Sequence, residues 1–226
     1  RRQRQMCIRD RLTLLPEGVD LERIKPDRQA RLSLPEHGLE LKAGQPLVTL
    51  ISRNLEPLRG LRQALRTWPL VRQQFPQAQL LLVGRQRQGY GLEPPQSESH
   101  LMDALEGIDC GGISVVNWLS HPQMLQLLCC SACHLALSYP YTLSWSVLEA
   151  MACGTPLISN IGSPIAADLQ HDRDALLVPF NDVDGLAQAM VTLLQEPKRA
   201  QRLGDQARET MQRSFNLVAA SKAYEE

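Results

Sequence analysis

Residues 133–159, CHLALSYPYTLSWSVLEAMACGTPLIS, read as a strand, a helix and a second strand joined by short connections. The opening run, 133–138, is read as a strand. A helix of small and apolar residues follows at 146–153, and Gly154 ends it, because glycine takes the left-handed conformation of a helix terminus at little cost. PLIS, 156–159, begins the second strand. One carboxylic side chain, Glu149, interrupts the stretch, and an acid in a segment built for burial needs hydrogen-bond donors.

The same alternation extends in both directions. PLVTLIS (46–52), AQLLLVG (78–84), ISVVN (113–117) and DALLVP (174–179) are further strand candidates. Leu61, Leu65, Trp68 and Val71 recur three or four apart and predict a helix over 58–74. Helices are also expected near 98–106, at 121–130, at 182–194 with Asp182 as N-cap, and at 197–213. A polar loop rich in Gly and Pro occupies 85–97. Six strands alternating with helices imply an α/β fold: a doubly wound, Rossmann-like parallel sheet with helices on both faces. The sheet domain is assigned to 45–214, residues 12–44 to a short strand, a Pro/Gly turn and an extended interdomain linker, and 215–226 to the start of a further, truncated helix. The first eleven residues, RRQRQMCIRDR, lack apolar periodicity and are set aside as an artefactual or disordered tail; the chain is read as a fragment.

The 226 residues carry 24 basic and 24 acidic side chains, so no long-range field draws the chain to nucleic acid or an acidic membrane. Lysine occurs only at Lys25, Lys42, Lys198 and Lys222; the remaining cations are arginines, so none stands out by type. No apolar run reaches the length of a membrane span and no leader pattern opens the sequence. Cys130 and Cys133 form C-x-x-C, but no second pair stands at zinc spacing, so buried thiols are expected and no metal. Without a disulfide framework, a reducing cytoplasm is the expected home.

In a doubly wound sheet, ligands collect at the carboxyl ends of the strands, beside helix N-termini. Arg53, Asn54, Glu56 and Arg59 follow the first strand, Gly84 and Arg85 the second, Asn117 and Trp118 the third. Ser138 to Ser146 and then Glu149 follow the fourth, Asn160 and Gly162 the fifth. Two arginines converging on a helix start suit a diphosphate, each charge-assisted bond contributing about 1.5–3 kcal/mol. Neither G-x-G-x-x-G after a strand nor G-x-x-x-x-G-K-[ST] is present, which disfavours the usual dinucleotide and P-loop modes.

Several segments, in order, carry a resemblance. EGVDLERIKP (17–26), RNLEPLRG (53–60), VLEAMACGTP (147–156) and NIGSPIAADLQHDRDALLVPFNDVDGLAQAMVTLL (160–194) together resemble the C-terminal half of GT-B glycosyltransferases, more narrowly the retaining group called family 4. The likeness runs from about residue 12 to 226. It implies a nucleotide-sugar donor, no cofactor and no metal. It also implies an acceptor of unknown identity and an N-terminal domain outside this chain, to which any peripheral membrane contact would belong. By this resemblance Arg53 and Arg59 are the catalytic cations on the donor diphosphate, Arg59 standing one position beyond the usual lysine. Glu149 matches the second acid of an E-x7-E motif and would hold the ribose hydroxyls. Ser144, Trp145, Ser146 and Leu148 would meet phosphate and sugar, with Asn117 and Gly84 completing the binding set. The first acid of the motif is missing: Tyr141 stands eight positions before Glu149, and it or Thr142 is expected to touch the sugar instead.

Plainer readings stand beside these. Ser146 and Glu149 have the S-x-x-E spacing of a capping box. Arg53 and Arg59 would serve equally as partners of surface acids, Trp118 and Trp145 as packing residues, and His121, His134 and His171 as structural ones. A nucleotide- or partner-binding domain without catalysis remains open, for which Tyr141 argues, as does another GT-B-like enzyme such as a sugar-nucleotide epimerase. A phosphorylase would need a pyridoxal lysine, and the four lysines lie in late helices or near the linker.

Overall fold

The computed structural model describes residues 18–86, 99–140, 142–218 and 221. The short strand expected before the Pro/Gly turn, most of the 85–97 loop, Tyr141 and most of the last expected helix lie outside them. Among the described residues there are eight strands: β1 (Arg31–Leu34), β2 (Leu39–Lys42), β3 (Leu47–Asn54), β4 (Gln79–Arg85), β5 (Ile113–Val116), β6 (Cys133–Ala136), β7 (Leu157–Asn160) and β8 (Leu176–Val178). The helices are α1 (Leu61–Gln74), α2 (His100–Leu105), α3 (His121–Cys130), α4 (Trp145–Ala152), α5 (Val183–Gln195) and α6 (Pro197–Ser214).

Strands β3 to β8 form one sheet in the order β5-β4-β3-β6-β7-β8, and every neighbouring pair is parallel. The chain starts in the middle, winds outward to β5, then crosses back to place β6 on the other side of β3. That reversal is the topological switch point of a doubly wound sheet.

Alternate residues of β3 face opposite layers and both are covered. Val48 and Leu50 pack with Leu65, Trp68 and Met190 from α1 and α5, whereas Leu47 packs with Leu81, Val83 and Leu127. Each such side chain, fully buried, contributes about 1.5–3 kcal/mol of transfer free energy. Trp68 is wholly buried, with its indole N–H satisfied by the Gly111 carbonyl at 2.8 Å. A further cluster joins α4 and α6 through Leu148, Met151, Ala207 and Met211.

The expected linker needs correcting. Residues 31–42 form an antiparallel hairpin with Arg31 opposite Lys42 and Leu34 opposite Leu39. RLSL and LELK alternate with period two, and Leu32, Leu34 and Leu41 turn inward onto Leu81, Val116 and Leu127. Upstream, the Val19 amide donates to the Phe215 carbonyl at 2.7 Å, while Arg208 of α6 donates to the carbonyls of Leu21, Ile24 and Ala152. One guanidinium thus ties the entering segment to the last residue of α4.

Two close fits make this arrangement testable. Gly204 of α6 lies so near the turn after α4 that a Cβ there would overlap the Gly154 carbonyl. Gly204→Ala is expected to cost about 1–3 kcal/mol, read by urea unfolding, because both partners are backbone. At the β3–β6 seam, Thr49 Oγ1 lies 3.0 Å from Ser131 Oγ and 3.1 Å from His134 Nδ1, and Ser131 donates to the Leu127 carbonyl. That chain of donors leaves Thr49 accepting from Nδ1–H, and Nε2 is buried without a partner among the described residues. Burial holds the His134 imidazole down to about 4. The unfolded chain therefore binds the extra proton first as pH falls. Stability is full above about 6.5 and declines toward pH 4, by on the order of 3 kcal/mol in total. Unfolding measured across that range should lose this dependence in His134→Gln.

Candidate functional site

The carboxyl ends of β3 and β6 part around a cleft of about 650 Å³. On the β3 side the ladder to β4 shifts register between Ile51 and Asn54, and Leu55 N then bonds to the Arg85 carbonyl at 3.0 Å. This irregular end leaves Arg53 exposed on the cleft wall, with no hydrogen bond or ion pair among the described residues. A 3₁₀ turn, Pro57–Arg59, follows and closes at Gly60, whose positive φ of 76° only glycine adopts readily. The turn sends Arg59 across the crevice. Its guanidinium donates to Ser138 Oγ, to the Thr142 carbonyl and to Thr142 Oγ1, each at 3.1 Å. Buried Asn160 grips the same loop from behind: its Oδ1 accepts from the Ser138 amide at 2.8 Å and its amide donates to the Ser138 carbonyl at 3.0 Å.

The start of α4 forms the facing wall. Ser144 is the N-cap residue, and its side chain caps nothing. Its hydroxyl lies 2.9 Å from that of Ser146, which donates to the Ile51 carbonyl at 3.2 Å. The expected capping box is therefore absent, because the helix begins one residue before Ser146. First-turn amides left without a side-chain acceptor suit an anion. Ser146 and Glu149, three apart, share a helix face. The Glu149 side chain is 10% exposed, and its Oε1 sits 2.7 Å from His121 Nε2. Burial pushes its carboxyl above the ordinary range, and the His121 hydrogen bond works against that rise.

The structure gathers most of the expected residues. Arg53, Arg59, Gly84 and Asn117 line the cleft on one side, and Thr142, Ser144, Trp145, Ser146 and Glu149 on the other. Leu148 is a correction: it is fully buried in the core between α4 and α6 and does not reach the cleft. Tyr141 lies outside the described residues. The tryptophans are a second correction. Trp118 is 66% and Trp145 52% exposed, both on the cleft rim, where no further layer covers them among the described residues. His121, read as a helix opener, also anchors Glu149 across 28 positions. Glu56 and Arg85 line the cleft as well, so Arg53, Arg59 and Arg85 face Glu56 and Glu149 there. Cys130 and Cys133 are buried as expected, their thiols pushed up to about 11 and about 12 by burial. Among the described residues no three His, Cys, Asp or Glu side chains cluster as metal ligands would, and no helix is long and apolar enough to cross a membrane.

Residues 45–196, more than half of the chain, match the family described as glycosyl transferases group 1. The chain belongs to that family. Among curated relatives, the GDP-mannose-dependent alpha-(1-6)-phosphatidylinositol monomannoside mannosyltransferase of Mycolicibacterium smegmatis is 30% identical over 194 residues, 84% of this chain and 49% of that protein. The chain spans about half the length of the curated relatives it matches. Among solved structures, the sucrose-phosphate synthase of Thermosynechococcus elongatus superposes with a TM-score of 0.72 at 25% identity, covering 99% of this chain and 55% of that one. The C-terminal domain of a group 1 family protein from Francisella tularensis gives 0.69 at 13% identity, covering 88% of this chain and all of that domain. The six-stranded sheet of this chain is the GT-B arrangement its resemblance implied.

Glu149 is expected to titrate above the usual 4.5, and further above it in His121→Ala, as carboxyl carbon NMR would record. The raised folded-state value means that the stability this group confers is full below the unfolded-state value. It is lost as pH rises through the folded one, by more in the variant.

Proposed function

We propose that this chain forms the donor-binding half of a retaining glycosyltransferase, which moves a sugar from a nucleotide-sugar to an acceptor. One observation carries the reading: at the switch point, a single cleft brings Arg53, whose side chain has no partner among the described residues, and anchored, buried Glu149 beside the open start of α4. Arg53 takes the donor diphosphate, and Arg59 adds its charge while it holds the 138–142 loop in place. The amides opening α4 complete the anion site. Glu149, oriented by His121, accepts from the ribose hydroxyls.

Charge grows on the diphosphate as the sugar departs, and fixed cations in a sheltered cleft stabilise that growth without reorganising. The arginines carry the countercharge, so the reading calls for neither metal nor organic cofactor. Retention follows if the departing diphosphate takes the acceptor's proton on the face where the new bond forms. The acceptor side is assigned to a second domain outside this chain, in keeping with relatives about twice its length. The GDP-mannose dependence of those relatives makes GDP-mannose the first donor to try.

Calorimetric titration with GDP, UDP and ADP tests the proposal. One diphosphate should bind selectively. Arg53→Ala should weaken it by about 10–100-fold, and Glu149→Ala by about tenfold, the ranges for charged hydrogen bonds. A chain that binds none of the three at millimolar concentration refutes the donor-site reading. The tyrosine at position 141 favours a second reading, binding without transfer, which predicts the same titration but no turnover in a full-length protein carrying that tyrosine.

A further inference from the structure

We propose that Glu56 is a sugar-reading residue of the cleft, its carboxyl accepting hydrogen bonds from hydroxyl groups of the hexose on a bound nucleotide-sugar. The inference rests on the donor-site reading above. Glu56 sits between Arg53 and Arg59, in extended conformation (φ −137°, ψ 155°) at the N-cap of the Pro57–Arg59 turn, yet its side chain caps nothing. Its backbone is fixed by the bond from the Arg59 amide to the Glu56 carbonyl, 3.1 Å long. The residue lines the cleft, is 6% exposed, and its Oε2 has no hydrogen-bond partner among the described residues.

That arrangement is unfavourable on its own terms. A buried polar oxygen ordinarily finds a donor, and an acid among arginines ordinarily finds a cation. Here Arg53, Arg59 and Arg85 line the same cleft, and among the described residues none forms an ion pair with Glu56. Arg59 is directed instead at Ser138 and Thr142. An unsatisfied acceptor held in place beside a ligand cleft is explained if the ligand brings the donor.

The chemistry of a nucleotide-sugar narrows which part does so. Phosphate oxygens are acceptors and anionic, so they are repelled from Glu56 and fall to Arg53. Ribose hydroxyls already have an acceptor in Glu149. The hexose hydroxyls remain, each able to donate to a carboxyl oxygen. A site built to pair with a hydroxyl also rejects a sugar that lacks it, so Glu56 contributes selectivity as well as affinity.

The test titrates this chain, wild type and Glu56→Gln, with matched pairs: GDP and GDP-mannose, UDP and UDP-glucose, ADP and ADP-glucose. For the pair that binds wild type, Glu56→Gln should leave diphosphate affinity within about threefold and weaken the nucleotide-sugar by about tenfold. Its melting temperature should equal or exceed that of wild type, since the substitution neutralises a buried, unpaired acid. Glu56→Asp, which keeps an acceptor one methylene short, should fall between. An unchanged ratio of the two affinities overturns the inference, as does an equal loss in both, which would mean that Glu56 meets the base or supports the fold. If wild type binds no nucleotide, the donor-site reading falls and takes this inference with it. If binding depends on Arg53 while the ratio ignores Glu56, only the inference falls.

Discussion

Two residue pairs, Val48 with Cys133 and Thr49 with His134, join the halves of the sheet. Beyond them β3 runs on for five residues to Asn54, while β6 stops at Ala136 and its chain turns into a loop. The cleft exists because this pairing is short. A longer ladder would carry the two strands side by side past the point where they part, and the gap between their carboxyl ends would fill with backbone hydrogen bonds. The seam is also polar at its heart, with the Ser131–Thr49–His134 chain buried between apolar layers. Ser131 and Thr49 are satisfied within it, whereas His134 Nε2 has no partner among the described residues, so the network restricts slippage of the seam at some cost in stability.

Around that seam, charge is sorted by how firmly each group is already engaged. Arg59 spends hydrogen bonds on the loop that faces it, and Glu149 is held by His121. Arg53 and Glu56, neighbours on the β3 side, are held by backbone rather than by partners. Engaged groups shape the wall, and unengaged groups are left for what enters. Preorganisation of this kind lowers the entropy lost on binding, because the side chains that set the shape are immobilised before the ligand arrives.

Much of the sheet was legible in sequence because central parallel strands buried on both faces must be largely apolar, as LVTLI and LLLV are. The hairpin was not, since each of its strands is four residues long and Pro35 and Gly38 between them read as breakers. The phase of α4 accounts for two other misses. Moving the helix start from Ser146 to Trp145 removes the capping box. Successive helical residues also point about 100° apart, so a Glu149 that faces the cleft turns Leu148 into the core. The exposure of Trp118 and Trp145 had no local signal, because an aromatic beside a strand end looks alike whether or not another layer covers it. His121 and Glu149 meet only through the packing of α3 on α4, which no spacing encodes.

The guanidinium of Arg208 holds the carbonyls of Leu21 and Ile24 together with that of Ala152, at the rear of the helix whose front walls the cleft. Mechanically, the entering segment and α4 share one bolt. A pull on residues 21–24 loads the same joint that braces Ser144 and Glu149, and the backbone contact between Gly204 and Gly154 leaves that joint little slack. Residues 21–24 and the rear of the helix that walls the cleft are thus held at one joint.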